Sequence, residues 1–166
     1  METREYNRKW RQEHPLYWKE YYKDHKKEIL KNNAKWRENN KADVIYFHIS
    51  EDGRILYIGS SGQRAVVERQ SAHLTGNSNL KMTVEEYIEK YRFSTIMYKD
   101  LTRFNLSRHD LYFLESYFKK NHVQVLDGNN VKYKEDELTR SEDELIRIAE
   151  QEEYKLFNFD LEKYLN

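Results

Sequence analysis

Val44-Ile45-Tyr46-Phe47-His48-Ile49-Ser50 and Arg54-Ile55-Leu56-Tyr57-Ile58-Gly59-Ser60 flank Glu51-Asp52-Gly53. Both runs are rich in β-branched and aromatic residues, and an Asp-Gly pair between two such runs signals a tight β-hairpin. A two-residue turn at Asp52-Gly53 pairs Glu51 with Arg54, which sets Tyr57 opposite His48 and Gly59 opposite Tyr46. Side chains alternate along a strand, so Tyr46, His48 and Tyr57 fall on one face, and Ile45, Phe47, Ile49, Leu56 and Ile58 on the other. The second face is a core face. The first gathers two phenols and an imidazole around Gly59, where the missing side chain leaves room for a substrate backbone to approach.

The hairpin sits in a compact α/β (α+β) unit. Residues 63–74 are predicted as a helix that carries Arg69 and His73 at i and i+4, on one face. A polar loop follows at 75–81. Thr83 and Glu86 form a capping box that opens a second helix, to about Tyr91. Residues 93–99 are predicted as a third strand. Ser107, with Asp110 three residues on, starts a third helix to about Asn121, with Leu111, Leu114 and Phe118 as its apolar stripe. Glu115 lies at the edge of that stripe, and a carboxylate against a core is costly unless it is paired or binds a cation. A short last strand is expected at 123–126, then a turn over Asp127-Gly128-Asn129-Asn130. In the final segment, Ser141 and Glu144 cap a helix with Leu145, Ile148 and Ala149 on one face, and residues 156–159 can pack back onto the domain.

The chain has 166 residues, 38% hydrophobic and 35% charged, with no cysteine. That composition excludes disulfides, thiolate metal sites and cysteine nucleophiles. No apolar run approaches the ~20 residues that cross a membrane, so no membrane partner is expected. Met1 leads into Glu, Arg and Lys, unlike a signal peptide, so a cytoplasmic protein is expected. The zero net charge hides a gradient: residues 1–43 carry 12 Lys/Arg against 8 Asp/Glu, whereas residues 131–166 carry 6 against 11. Three segments follow: a basic, aromatic helical arm (1–42), the compact unit (43–130), and an acidic extension with a C-terminal helix (131–166). The arm is expected to break at Pro15 and at Asn32-Asn33. In it Lys9-Trp10-Arg11 recurs as Lys35-Trp36-Arg37. Cations neutralise phosphates and aromatics stack on bases, so Trp10, Arg11, Trp36 and Arg37 are candidates for DNA contact. The alternative is that the arm docks on the compact unit or on a second copy.

Val44-Ile45-Tyr46, Leu56-Tyr57-Ile58-Gly59, Arg69 with His73, Leu114-Glu115 and Asn129-Asn130, in that order and spacing, resemble the GIY-YIG nuclease family. Its members include intron homing endonucleases, some restriction enzymes and the incision subunit of bacterial excision repair. The resemblance covers residues 43–130. It implies a small mixed sheet of three to four strands flanked by helices. Two departures stand out: Val44 replaces a usual glycine, and Arg69 lies twelve residues after Tyr57 where many members have ten. The extra length falls in Ser60-Ser61-Gly62-Gln63. Arg64 is the rival for the arginine role, and Arg69 is preferred for its spacing to His73.

The resemblance implies hydrolysis of a DNA phosphodiester without a small-molecule cofactor. Glu115 would hold one divalent ion, Mg2+ or Mn2+, that polarises the phosphate. Arg69 would bind the phosphate and offset transition-state charge. Tyr46 or Tyr57 would activate or orient water, which for a tyrosine base requires nearby positive charge. His73 would accept a proton or orient a tyrosine, and Asn130 or Asn129 would position the site. Gly59, Ser60, Ser61 and Arg64 would lie against the nucleic acid. One active site cuts one strand at a time, so a clean double-strand break would call for a homodimer or sequential nicking. A catalytically inactive module that binds nucleic acid or protein on the same fold is the alternative function.

Overall fold

The computed structural model describes residues 9–10, 12–75, 80, 82–122, 131–159 and 161. The expected strand at 123–126, Asn129, Asn130 and Arg11 lie outside them. The chain divides into two compact units, residues 1–39 and 40–166.

The first unit contains α1, Tyr17–Asn39. A turn at Pro15 precedes it, as expected. It runs unbroken through Asn32-Asn33, where a break was expected. An interior asparagine costs only a few tenths of a kcal/mol in a helix, about 0.7 at most, and does not end one by itself. Ring contacts run along the N-terminal half. Trp10 stacks on His14 at 4.6 Å, and Tyr21 stacks on His25 at 4.0 Å between centroids. Each histidine donates from Nδ1 to the carbonyl four residues back.

The second unit is α+β. Its sheet has the order β2-β1-β3-β4, formed by β1 (Ala42–Ile49), β2 (Ile55–Arg64), β3 (Thr95–Asp100) and β4 (Tyr154–Phe157). All three pairings are antiparallel, so the expected mixed sheet has no parallel pair among the described residues. Helices α2 (Val66–Leu74), α3 (Val84–Tyr91), α4 (Arg108–Asn121) and α5 (Glu142–Gln151) cover it. On one face Ile45, Phe47 and Ile58 meet Leu111, Leu114 and Phe118 of α4 and Leu145, Ile148 and Ala149 of α5. Burying each large apolar side chain there stabilises the unit by roughly 1.5–3 kcal/mol. On the other face Val44, Tyr46, Leu56 and Tyr57 meet Leu74 of α2 and Tyr87, Ile88 and Tyr91 of α3. The acidic segment is built into this unit, since α5 joins the core and β4 pairs with β3.

The hairpin register holds where the site needs it: Tyr46 faces Gly59 and His48 faces Tyr57. The turn differs from expectation. Ser50 N–H donates to the Arg54 carbonyl at 2.9 Å, so the loop is Glu51-Asp52-Gly53, three residues long, with Gly53 at φ +83°. Three-residue hairpin loops commonly end on a residue in this left-handed region, which favours glycine. Ile49 then pairs with Ile55, and Leu56 is left over before His48 meets Tyr57. This bulge offsets the longer loop and turns Leu56 to the tyrosine face rather than the Ile45 face. A bulge moves side chains across a sheet in this way. Strand β2 also continues to Arg64, so α2 starts at Val66 rather than at 63.

Candidate active site

Strands β1 and β2 bring Tyr46, His48 and Tyr57 to one face, and α2 lays Arg69, Gln70 and His73 over them. Tyr46 Oη lies 3.0 Å from His73 Nε2, and Arg69 Nε donates to the same oxygen at 3.2 Å. Arginine has only donors, so Tyr46 accepts from Arg69, and its hydroxyl is shared between His73 and a side-chain hydrogen bond with Tyr57. Tyr57 stands beside Tyr46, ring centroids 5.8 Å apart. Tyr46, Tyr57 and His73 are all buried.

Gly59 is what lets the two phenols meet. A Cβ there would fall 2.8 Å from Tyr57 Cε1 and closer still to the phenol end of Tyr46. The space expected for a substrate backbone is therefore filled by the chain's own tyrosines. Gly59→Ala should lower the melting temperature of the folded chain by roughly 2–12 °C, because an extra methyl in a filled core costs about 1–3 kcal/mol. A scanning-calorimetry melt unchanged from wild type would contradict this packing.

Burial, and then the neighbouring Tyr57 phenol, hold Tyr46 well above the usual tyrosine range against the opposing pull of Arg69. Burial and the Glu115 carboxylate raise Tyr57 as well. Both phenols are thus held in their protonated form near neutral pH by these surroundings. Burial, with His48 and Arg69 nearby, lowers His73 to about 3. Its imidazole is neutral and accepts a hydrogen bond at Nε2. Burial works against the Arg69 charge, but Tyr46 and Tyr57 more than offset it, and its pKa rises.

Arg69 also reaches the other side of the β2 edge. A cleft of about 590 Å³ opens there, and its walls include Ser60, Ser61, Arg64, Arg69, Arg108 and Glu115. Arg64 and Arg69 therefore share one cleft, while Arg69 alone of the two touches Tyr46. Ser60 Oγ donates to Glu115 Oε2 at 2.6 Å, and Lys119 Nζ lies 2.7 Å from Oε1. Asp43 is buried at the cleft wall and accepts from the Gln63 backbone N–H at 2.9 Å, which holds Gln63 at φ +53°.

The metal expected on Glu115 does not fit this arrangement. Each carboxylate oxygen already holds a donor, one of them an ammonium, and the Glu115 side chain is 5% exposed. A dication beside that ammonium would be strongly repelled. Among the described residues no group of three acidic or histidine side chains is placed to hold an ion.

The motif pattern pointed to Tyr46, Tyr57, Arg69, His73, Glu115 and Gly59, and the fold brings all six around one edge of the sheet. Trp10, Trp36 and Arg37 belong to the first unit. Lys119, Asp43, Gln70 and Tyr87 were missed. The i,i+4 spacing of Glu115 and Lys119 was the one signal available for any of them. Gln70 accepts from His48 Nε2 at 3.0 Å, which gives His48 a structural anchor. No protein-family model, curated protein or solved structure matches the chain. No helix among the described residues is long and apolar enough to cross a membrane.

Proposed function

We propose that the second unit is a DNA phosphodiester hydrolase of GIY-YIG type, acting in the cytoplasm. One observation carries this reading. Arg69 joins a buried Tyr46–His73 hydrogen-bonded pair to a cleft that also bears Ser60, Ser61, Arg64 and Glu115. In the reaction a water attacks phosphorus, one P–O ester bond breaks and the water's proton ends on the departing oxygen, with negative charge growing on the phosphate oxygens on the way. The guanidinium of Arg69 offsets that charge, and its planar fork suits a phosphate. Arg64, exposed on the same wall, holds an adjoining phosphate. Tyr46 passes a hydrogen bond to neutral His73 and keeps Arg69 aimed. The arm adds affinity: α1 carries Lys19, Lys23, Lys26, Lys27, Lys31, Lys35 and Arg37, and it exposes Tyr17, Tyr21, Tyr22 and Trp36.

Plasmid cleavage with Mg2+ or Mn2+, beside a chelator control and Glu115→Ala, tests the reading. Discrete or nicked products from wild type alone are expected. Wild-type product formation by Glu115→Ala would remove Glu115 from the chemistry. The second reading, an inactive module that binds DNA, is favoured by the closed Glu115–Lys119 pair and the protonated tyrosines. It predicts salt-sensitive DNA binding and no products under any of these conditions.

A further inference from the structure

Arg108 and Tyr112 line the same cleft as Arg64 and Arg69, and neither the motif pattern nor the proposed chemistry uses them. They precede Glu115 by seven and three residues on α4, so all three share one helix face. Arg108 thus stands about 10 Å along the helix from Glu115. Its guanidinium lies over the Tyr112 ring, 5.2 Å from the centre, and its Nε donates to Tyr112 Oη at 2.5 Å. Among the described residues nothing else holds Arg108, and no carboxylate pairs with it or with Arg64. Tyr112 therefore sets the plane of the guanidinium, and the two terminal nitrogens, the pair that grips a phosphate, stay open.

The carboxylates of the cleft are turned onto the protein's own donors. Ser60 and Lys119 hold Glu115, and buried Asp43 accepts from the backbone and the side chain of Gln63. What the cleft offers a ligand is therefore cationic: Arg64 from β2, Arg69 from α2 and Arg108 from α4. Three guanidiniums on three elements suit a row of phosphates, whereas a single anion would need them gathered at one point. The cleft, at about 590 Å³, admits one backbone and not a double helix, whose major groove alone is about 12 Å wide. We propose that Arg108, aimed by Tyr112, is a further phosphate subsite, so that the cleft takes one strand of nucleic acid by several of its phosphodiesters. The inference rests on the reading of the Arg69 cleft as the nucleic-acid site. It extends that site to α4 and names its ligand as a strand rather than a single phosphate group.

Binding of the full chain to a fluorescein-labelled single-stranded oligothymidylate of about ten nucleotides is followed by anisotropy across a salt series, with a chelator present. Wild type is compared with Arg108→Gln, Tyr112→Phe and Lys120→Gln. Lys120 is exposed on α4 and outside the cleft, so its variant controls for net charge alone. The arm contributes alike in all four chains. Each phosphate contact to a single strand adds about 0.7 to the slope of log affinity against log salt. Arg108→Gln is expected to lower that slope by about 0.7 and to weaken binding about three- to tenfold. Tyr112→Phe keeps the charge and the ring but releases Nε, and is expected to weaken binding about threefold with the slope unchanged. Lys120→Gln is expected to match wild type. A wild-type slope in Arg108→Gln overturns the inference, as does wild-type affinity in Tyr112→Phe or an equal loss of slope in Lys120→Gln.

Competition separates a strand from a free phosphate. Inorganic phosphate and thymidine monophosphate, added at constant ionic strength, are expected to displace the oligothymidylate only at concentrations about 100-fold or more above it, because a strand engages several subsites at once. Displacement at matched concentration assigns the cleft to a single phosphate group and overturns the strand. None of these readouts involves cleavage. A chain that cuts DNA while Arg108→Gln keeps the wild-type slope sinks this inference alone. A chain that loses slope in Arg108→Gln and cuts nothing sinks the hydrolase reading alone.

Discussion

Arg69→Ala is expected to reduce DNA cleavage by about 10²–10³-fold or more while leaving the fold intact, the range seen when one transition-state donor is removed. Among the described residues, Arg69 is the one side chain that hydrogen-bonds Tyr46 and also lines the cleft. Its Nε donates to Tyr46 and its guanidinium also hydrogen-bonds Tyr57, so the two phenols aim the fork at the cleft. Arg69→Lys should not restore activity, since a single ammonium cannot hold the phenol and grip a phosphate bidentately at once. The fold should survive because Tyr46 keeps its bond to His73 and the Arg69 side chain is only partly buried. Initial rates of plasmid nicking, beside a circular-dichroism melt, check this. A variant that cuts within about fivefold of wild type would take Arg69 out of the reaction, and Arg64 would become the phosphate ligand to test.

Local signals in the sequence carried much of the fold. The Thr83/Glu86 and Ser107/Asp110 capping boxes both form as their spacing implies, because each closes within one turn and owes nothing to distant packing. The central hairpin register was legible for a similar reason: alternation fixes which residues face the core. The turn was not. A loop one residue longer and a bulge at Leu56 cancel in the register count, so no pairing at Tyr46 or His48 betrays either one. Strand β4 carries no periodic signal in four residues and exists because β3 offers it an edge. The polar end of β2, Ser60 to Arg64, looks like loop in sequence and is held as strand by pairing with β1.

The site was legible as a set of residue types and illegible in its electrostatics. Spacing alone puts Lys119 beside Glu115, but not the burial that turns a surface pair into a closed one. Gly59 stood out as a residue without a side chain facing Tyr46. That the vacant space serves the phenol rather than a substrate depends on how far the Tyr46 ring leans across the strand, which no pattern encodes. The same holds for the tyrosines' acidity: a tyrosine base requires nearby positive charge, and at Tyr46 burial outweighs the pull of Arg69.

Acid should destabilise this protein through His73 in a window that the same histidine leaves open to activity. Its pKa is about 3 in the folded chain, against an ordinary value of 6.5. The folded state therefore binds fewer protons than the unfolded state between those limits, and stability rises with pH across them. The contribution is fully present above pH 6.5 and is lost progressively as pH falls toward 3. Between pH 6.5 and 4.5 the loss attributable to His73 is on the order of 2 kcal/mol. Urea unfolding of wild type and His73→Gln across that range isolates it, since carboxylates titrate alike in both chains. The wild type should lose stability more steeply, and parallel curves would mean that His73 is protonated in the folded protein. Cleavage should be spared over the same range. A histidine that stays neutral down to about pH 3 keeps Nε2 open to the Tyr46 proton throughout, so His73 should put no acidic limb on the cleavage profile above pH 5. A loss of cleavage near pH 6 that disappears in a variant at another group would locate the titrating residue outside the Tyr46–His73 pair.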